Sequence, residues 1–476
     1  MTTTIHRLAL RLKFPEGISP GEGRSANLLG IARMGPPEEG KNSCAVLRGS
    51  AFAGVLRHEW EKHHGDASKW FGEPLDGQTY QASPLKVPDV PLLHENSGQL
   101  LRTHIAVNRH TGAVLEKGLF SLESLPPGTH CDCCLWLHTD DHDFKKEEVK
   151  AFFETLLHFL DNGITLGGNS ARGIGRAELS KTALYQTYDL RDPKARTAWM
   201  DEDYAWRKDR TLPKDGDELA PATPDTSNDF HLKLTLCVPG AEDFLIADGQ
   251  GMDYEMEPQR VKGADGQNYF RIPGSSLRGV FRSWFNRLAS RAGHPVSDPV
   301  TTAQNTTLAG KDLAWLGKSA TEVEEVQERL SKAECHGYST MRQCLQKELP
   351  YPVDELFGSA FAKGRIHISD ALAPEDLSRI QPRKHVAIDR FTGGANEGFL
   401  FDNQVLVRGP VFPFRIRIES PTVQEIKWLI STLRALDYGV LRVGSSKAGG
   451  RLGVKNLKCQ GRHAAEFNAA WEETKP

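Results

Sequence analysis

The sequence predicts an α+β chain made of two tandem copies of one domain, each opening on a strand and covered by helices. Three observations carry this. Four pairs of segments recur in the same order in the two halves. Each half opens on an alternating apolar and polar run, HRLALRLKF and FHLKLTLCV, with the period of a half-buried strand. The runs SSLRGVFRSWFNRLAS, EEVKAFFETLLHFLDN and IKWLISTLRALDYG carry apolar residues at helical spacing.

In chain order, the first pair is LLGIARMG (28 to 35) and GQGMDYEM (249 to 256), short Gly-containing loops that set Ala32 against Asp253. The second is AVLRGSAFAGVLRHEW (45 to 60) and FRIPGSSLRGVFRSWF (270 to 285), each a glycine opening a helix. The third is THIAVNRHTGAVLEKGLF (103 to 120) and KHVAIDRFTGGANEGFLF (384 to 401), whose Arg-x-Thr-Gly turn between apolar runs reads as a hairpin. The fourth is LGGNSARGIGRAEL (166 to 179) and VGSSKAGGRLGVKNL (443 to 457), a Gly-rich loop entering a closing strand. Residues 1–185 and 228–476 are thus expected as the two domains, with 186–227, charged and Pro-rich, as a linker. The second copy is longer between its second and third segments, which places an insertion at about 293–350.

Composition excludes several classes. A charged fraction of 25% among 39% hydrophobic residues describes a globular chain, and no apolar run reaches the roughly 18 residues that cross a bilayer. The N-terminus lacks a signal-peptide core, so a cytoplasmic protein is expected. The eight cysteines are scattered, apart from Cys131, Cys133 and Cys134 in a strand-like run where core packing is favoured, and make no disulfide framework. A net charge of −3 argues against a general nucleic-acid coat but allows a local basic surface.

Several residues are candidates for binding. Ser275 and Ser276 at a helix start, with Arg278 and Arg282 one turn apart, offer N–H groups and guanidinium groups suited to a phosphate. Arg48, Ser50 and Arg57 form a weaker version in the first half. A capped helix with solvated arginines is the competing reading. In the late loops, Gly168, Asn169, Ser170, Arg172 and Arg176, and then Ser445, Ser446, Lys447 and Arg451, combine close backbone approach with positive charge. The helix-to-strand direction speaks against a dinucleotide fingerprint, and an ordinary turn competes. Arg109 and Arg390 stand at the hairpin bends, where a wedge between bases is one reading and a plain surface hairpin the other.

The four motifs in this order, present twice, resemble the RAMP superfamily, and more closely the Cas-seven backbone subunits of type III CRISPR effectors. Similarity over both halves resembles the fused kind found in type III-D systems. The resemblance implies two modified ferredoxin-like, RRM-type domains that grip guide RNA by its backbone, with thumb hairpins displacing a nucleotide of the complementary target RNA. It implies partners in other backbone and large subunits, and no membrane. By the same resemblance Asp253 promotes Mg²⁺-dependent (or other divalent-cation) cleavage of the target, beside rival carboxylates Asp243, Asp248 and Glu255, while Ala32 marks an inactive first copy. Cys335, His336 and Cys344 stand where related subunits often bind structural Zn²⁺. A non-catalytic scaffold and a guide-processing endoribonuclease are the alternatives. The absence of HExxH, P-loop and GxSxG motifs leaves classical hydrolase and NTPase readings unsupported.

Overall fold

The computed structural model describes residues 3–474 apart from 26–27, 35–43, 75–79, 95–99, 108–113, 141–143, 169–171, 210, 223–227, 241, 249–255, 295, 297–351, 359–362, 390 and 445–448. The insertion expected at 293–350 lies almost wholly outside the described residues. The chain divides into two units whose main bodies change over between Asp225 and Thr226.

In the first unit the core sheet is built from β1 (Thr4–Phe14), β2 (Leu85–Lys86), β3 (Thr129–Thr139) and β4 (Ala183–Asp189), in the spatial order β4-β1-β3-β2. Helix α1 (Gly49–His64) lies between β1 and β2 in sequence, with the short α2 (Ser68–Phe71) behind it, and α3 (Lys146–Asp161) lies between β3 and β4. This β-α-β-β-α-β succession with antiparallel pairing is a ferredoxin-like topology. Leu8, Leu10, Leu12 and Phe14 point from one face of β1 into a core with Phe52 and Leu56 of α1 and Phe152, Phe153, Leu156 and Leu160 of α3. Cys131 and Cys133 sit in the same core, and burial pushes the Cys131 thiol up to about 12.

The second unit repeats the plan. Its sheet contains β5 (Phe230–Cys237), β6 (Ile366–Ile368), β7 (Val411–Ile418) and β8 (Gly453–Gly461) in the order β6-β7-β5-β8. Helix α5 (Gly274–Arg291) follows β5, the short α6 (Pro352–Phe357) precedes β6, and α7 (Val423–Asp437) joins β7 to β8. A capping box starts α7, Thr422 accepting from the Glu425 N–H at 3.2 Å while Glu425 accepts from the Thr422 N–H at 2.8 Å. Leu429, Leu433 and Leu436 then pack on Phe281 and Phe285 of α5, and a final helix α8 (Ala464–Glu473) adds Phe467 and Trp471.

The segment expected as a linker is folded instead. Residues 183–189 are β4, Pro193–Asp209 form helix α4, and Asp217–Leu219 pair with β4 as a further strand. Helix α4 covers the outer face of the first sheet, where Trp206 is buried with Ile5, Ala9, Cys134, Trp136 and Tyr188. Its apolar stripe is essentially Trp199 and Trp206, seven residues apart on an otherwise charged helix, too narrow for composition or periodicity to register. Arg7, fully buried beneath it, donates to Glu202 and to Tyr188. Trp206→Ala is expected to lower the stability of the first unit by about 3–5 kcal/mol. Urea unfolding would show this, and a loss below about 1 kcal/mol would mean α4 is not part of that core.

Candidate nucleic-acid interface

Both long hairpins of the third repeat are present. The first pairs Leu100–Val107 with Val114–Ser124 and the second pairs Arg379–Ile388 with Ala395–Val407. Their registers match, His104 standing opposite Phe120 as His385 stands opposite Phe401, and both strands carry a bulge at the same place, Ile105/Val107 and Val386/Ile388. The second tip is described in part. Asp389 accepts hydrogen bonds from the N–H groups of Phe391 and Thr392, both at 2.8 Å, and these bonds hold its carboxyl below the usual range. The tip bonding is therefore complete above the ordinary carboxylate pKa and is lost as pH falls through the lowered value. The result is a tight turn that leaves the Phe391 ring 99% exposed, next to exposed Ile388 and Val386. Arg109 and Arg390 lie outside the described residues. Phe391 was not among the candidates from sequence, although its place beside Arg390 in the Arg-x-Thr-Gly turn is a signal that could have named it.

The hairpins and the Gly-rich loops meet at one short segment in each unit. In the first unit four successive carbonyls accept from different parts of the chain: Gly17 from Gly175 at 2.8 Å, Ile18 from Leu125 at 2.8 Å, Ser19 from Gly168 at 2.7 Å and Pro20 from Ala32 at 2.6 Å. A Cβ on Gly167 would stand 2.7 Å from the Ser19 carbonyl oxygen, and its φ of +82° also favours glycine. In the second unit Gly444, φ +91°, presses against the Leu245 carbonyl in the same way. The bases of both Gly-rich loops are thus shaped by close backbone packing. Asn169, Ser170, Ser445, Ser446 and Lys447 lie outside the described residues.

The arginines that close these loops face inward. Arg176 is paired with Glu16 and Glu178, and Arg451 with Glu242, while both lie over the glycine that ends the preceding helix, Gly163 after α3 and Gly439 after α7. A cation at a helix C-terminus is favoured by the peptide dipoles. Arg172 is half-buried, and desolvation lowers its pKa.

The helix starts differ from expectation. Ser275 and Ser276 do not cap α5; Pro273 is the N-cap residue, with no side-chain cap bond. The Gly274 N–H instead donates to Asp370 at 2.8 Å, and in the first unit the Gly49 N–H donates to Asp89 at 2.8 Å. A carboxylate from a connection between two strands thus occupies the anion position at both helix starts. Neither aspartate was singled out from sequence, because each lies tens of residues from the glycine it caps. Arg278 donates to the Ile366 carbonyl at 2.7 Å and to Phe357, and burial pushes its pKa down to about 10. Arg282 is bound to the buried Asp354 at 2.5 Å, and Arg57 to Glu61 at 2.7 Å and the Gly72 carbonyl at 3.0 Å. These three arginines tie α1 and α5 to their own units rather than lining an open phosphate cradle. Arg48, exposed and shared with Asp89 at 2.9 Å, and exposed Ser50 remain at the surface.

The match between Ala32 and Asp253 is corrected by strand register. In the first unit Gly21 pairs with Ile31, and in the second Ala247 pairs with Pro258. Outside those feet, Ala32 donates to Pro20 and accepts from Val46, as Gln259 donates to Ile246 and accepts from Arg271. Ala32 therefore corresponds to Gln259. It is 2% exposed, at the foot of a hairpin rather than in its loop. Counted from the paired feet, Asp253 matches Ala26 or Asn27, so the first copy still offers no carboxylate there; Asp253 itself lies outside the described residues. Of its rivals, Asp243 is held by Arg383 through both oxygens at 2.7 and 2.9 Å. Glu255 and the zinc candidates Cys335, His336 and Cys344 also lie outside the described residues.

A family model described as the RAMP superfamily matches residues 34–178 and 257–453, which take in the second and third repeated segments and most of the fourth in both copies but not the loop that holds Asp253. No curated protein matches the chain. No helix among the described residues is long and apolar enough to cross a membrane.

Two predictions follow from this geometry. Ala32→Asp would bury an unpaired carboxylate and cost about 3 kcal/mol or more, read as a drop in urea midpoint; an unchanged midpoint would refute the buried placement. Asp89→Ala and Asp370→Ala should each cost about 1–2 kcal/mol through loss of the helix cap. Asp370→Asn, whose amide oxygen can still accept from Gly274, should cost less, and equal losses would argue against the cap.

Proposed function

The chain belongs to the RAMP superfamily, and on that premise we propose that it is a guide-RNA-binding backbone subunit of a type III CRISPR effector, of the fused tandem kind. In this reading the second copy cleaves complementary target RNA and the first holds RNA without cutting. The observation that carries it is the paired thumb hairpin, with Phe391 wholly exposed on a turn tightened by Asp389. An aromatic ring held out on a stiff ribbon can enter a nucleic-acid stack and splay one nucleotide away from its neighbour. The match over both copies supports two such grips in one chain.

The chemistry follows from that splaying. A displaced nucleotide can bring its 2′-hydroxyl in line with the adjacent phosphate, which converts a rare geometry into a held one. Asp253 is the proposed carboxylate, placed by sequence in the loop between the paired feet Ala247 and Pro258. A divalent cation such as Mg²⁺ at that carboxylate would supply charge stabilisation at the phosphate. Asp243 is ill suited to share it, since both its oxygens are engaged by Arg383. The RNA-binding surface in this reading comprises the loop tips around Asn169, Ser170, Ser445, Ser446 and Lys447, the bend arginines Arg109 and Arg390, and exposed Arg48 and Ser50. The protein contacts in this class are to backbone, so base pairing with the guide supplies the sequence selectivity.

The test uses complex assembled with guide RNA and its partner subunits, an end-labelled complementary RNA, and Mg²⁺ or EDTA. Asp253→Ala is expected to remove one Mg²⁺-dependent cut while the target stays bound. Phe391→Ala should slow that cut by roughly tenfold with guide retention unchanged, in keeping with a stacking contribution of about 1–3 kcal/mol. If Asp253→Ala leaves every cut in place, the chain is a scaffold and cleavage belongs to another subunit.

A further inference from the structure

The two core sheets share a strand order but present opposite outer faces. Leu12 pairs with Leu179 in the first unit where Leu236 pairs with Val454 in the second, which sets the residues of β1 and β5 in correspondence. On that register Ala9, opposite Cys134 and Leu184, corresponds to Lys233, opposite Arg415 and Lys458. An apolar trio covered by α4 in one copy is a cationic trio in the other. Lys233 and Lys458 are exposed, as is Lys455, which stands opposite Thr235 on the same face.

Like charges set directly across a ladder repel one another, so Lys233 and Lys458, facing each other on adjacent strands about 5 Å apart, are unfavourably placed without a counter-charge. None of the three lysines is in an ion pair among the described residues. Carboxylates that flank the strands of this sheet are engaged elsewhere: Asp229 before β5 by Arg417 at 2.8 Å, Glu419 after β7 by His367 at 2.8 Å, and Asp437 at the end of α7 by the Val454 N–H at 2.9 Å. The chain as a whole carries a net charge of −3, so this concentration of positive charge is local.

We infer that the outer face of the second core sheet, centred on Lys233, Lys455 and Lys458, is a separate binding surface for the sugar–phosphate backbone of an RNA strand. The solvent-accessible outward residues around these lysines are Thr235, Pro413, Arg415 and Gln460, and the one aromatic ring on the same face of β5, His231, is buried. Such a surface holds phosphates and does not stack bases. It rests on the RNA-binding reading above and adds to it a contact region independent of the thumb and the Gly-rich loops.

The test uses the full chain and a labelled 20-nucleotide uridine homopolymer, with affinity measured across salt concentrations. In the triple variant Lys233→Ala/Lys455→Ala/Lys458→Ala, the slope of log affinity against log salt is expected to fall by about 2, since each single-strand phosphate contact contributes about 0.7. A control triple on exposed lysines of the first unit, Lys150→Ala/Lys194→Ala/Lys208→Ala, should leave the slope unchanged. Thermal melting checks that both variants remain folded. An unchanged slope with RNA still bound overturns this surface alone, whereas failure of the unmodified chain to bind the RNA overturns the RNA-binding reading with it. If the lysine variant loses binding of a polyglutamate peptide and keeps its RNA slope, the face receives an acidic protein and the inference is wrong.

Discussion

Four carbonyl groups in a row, from Gly17 to Pro20, hold the candidate interface of the first unit together. The donors belong to three elements: the two arms of the Gly-rich loop, through Gly168 and Gly175, the base of the thumb hairpin, through Leu125, and the foot of the short hairpin, through Ala32. A backbone segment with no sheet on either side would carry unsatisfied acceptors if these elements left, so their docking and its ordering depend on one another. The glycine at 167 follows from this, because a side chain there would stand 2.7 Å from the Ser19 carbonyl oxygen; at 175 a side chain would stand 2.3 Å from the Leu166 carbonyl oxygen of the same loop. In the second unit the Asp243 carbonyl accepts from Gly450 at 3.4 Å and the Ile246 carbonyl from Gln259 at 2.9 Å, while Gly444 packs against the Leu245 carbonyl. The recurrence of motifs in sequence is the trace of this shared junction.

A second consequence concerns charge. The helix starts at Gly49 and Gly274 are neutralised by Asp89 and Asp370, and Arg57, Arg278 and Arg282 on those helices are spent on carbonyls and carboxylates of their own unit. The same holds for Arg176 and Arg451 over the ends of α3 and α7. Arginine in these motifs therefore does structural work, joining elements through its several donors in a way one lysine ammonium would not. Among the described residues, the exposed lysines of the open sheet are not used in this way.

How much of this could be read from the sequence depends on the distance over which each feature is encoded. The opening strands, the helices and the hairpins were legible because alternation, helical spacing and an Arg-x-Thr-Gly turn are local signals. Helix α4 was not, since only Trp199 and Trp206 mark its buried side among charged neighbours. The caps Asp89 and Asp370 were invisible for a different reason: partners 40 and 96 residues apart are joined only by folding. Ala32 was set against Asp253 by likeness of glycine spacing, whereas strand register counts from the paired feet and moves the match by six residues, to Gln259. The stretches proposed for RNA contact, at 169–170 and 445–447, are too short and too polar for a pattern to specify them.

The two copies show what such a framework leaves free to change. Core positions retain their pattern, Leu8, Leu10 and Leu12 in one sheet and Leu232, Leu234 and Leu236 in the other, because a substitution there disturbs packing against two helices. The outer face has no such obligation once it is either covered or left to water. In the first copy it became apolar and took α4 as its cover, with Arg7 buried against Glu202 and Tyr188; in the second it became cationic and stayed open. A buried arginine partnered by a glutamate and a tyrosine favours one seat for α4, since leaving that seat would strand a desolvated charge. Exposed lysines impose no such seat. The first face is accordingly committed to an intramolecular partner, and the second keeps its charge available to one from outside.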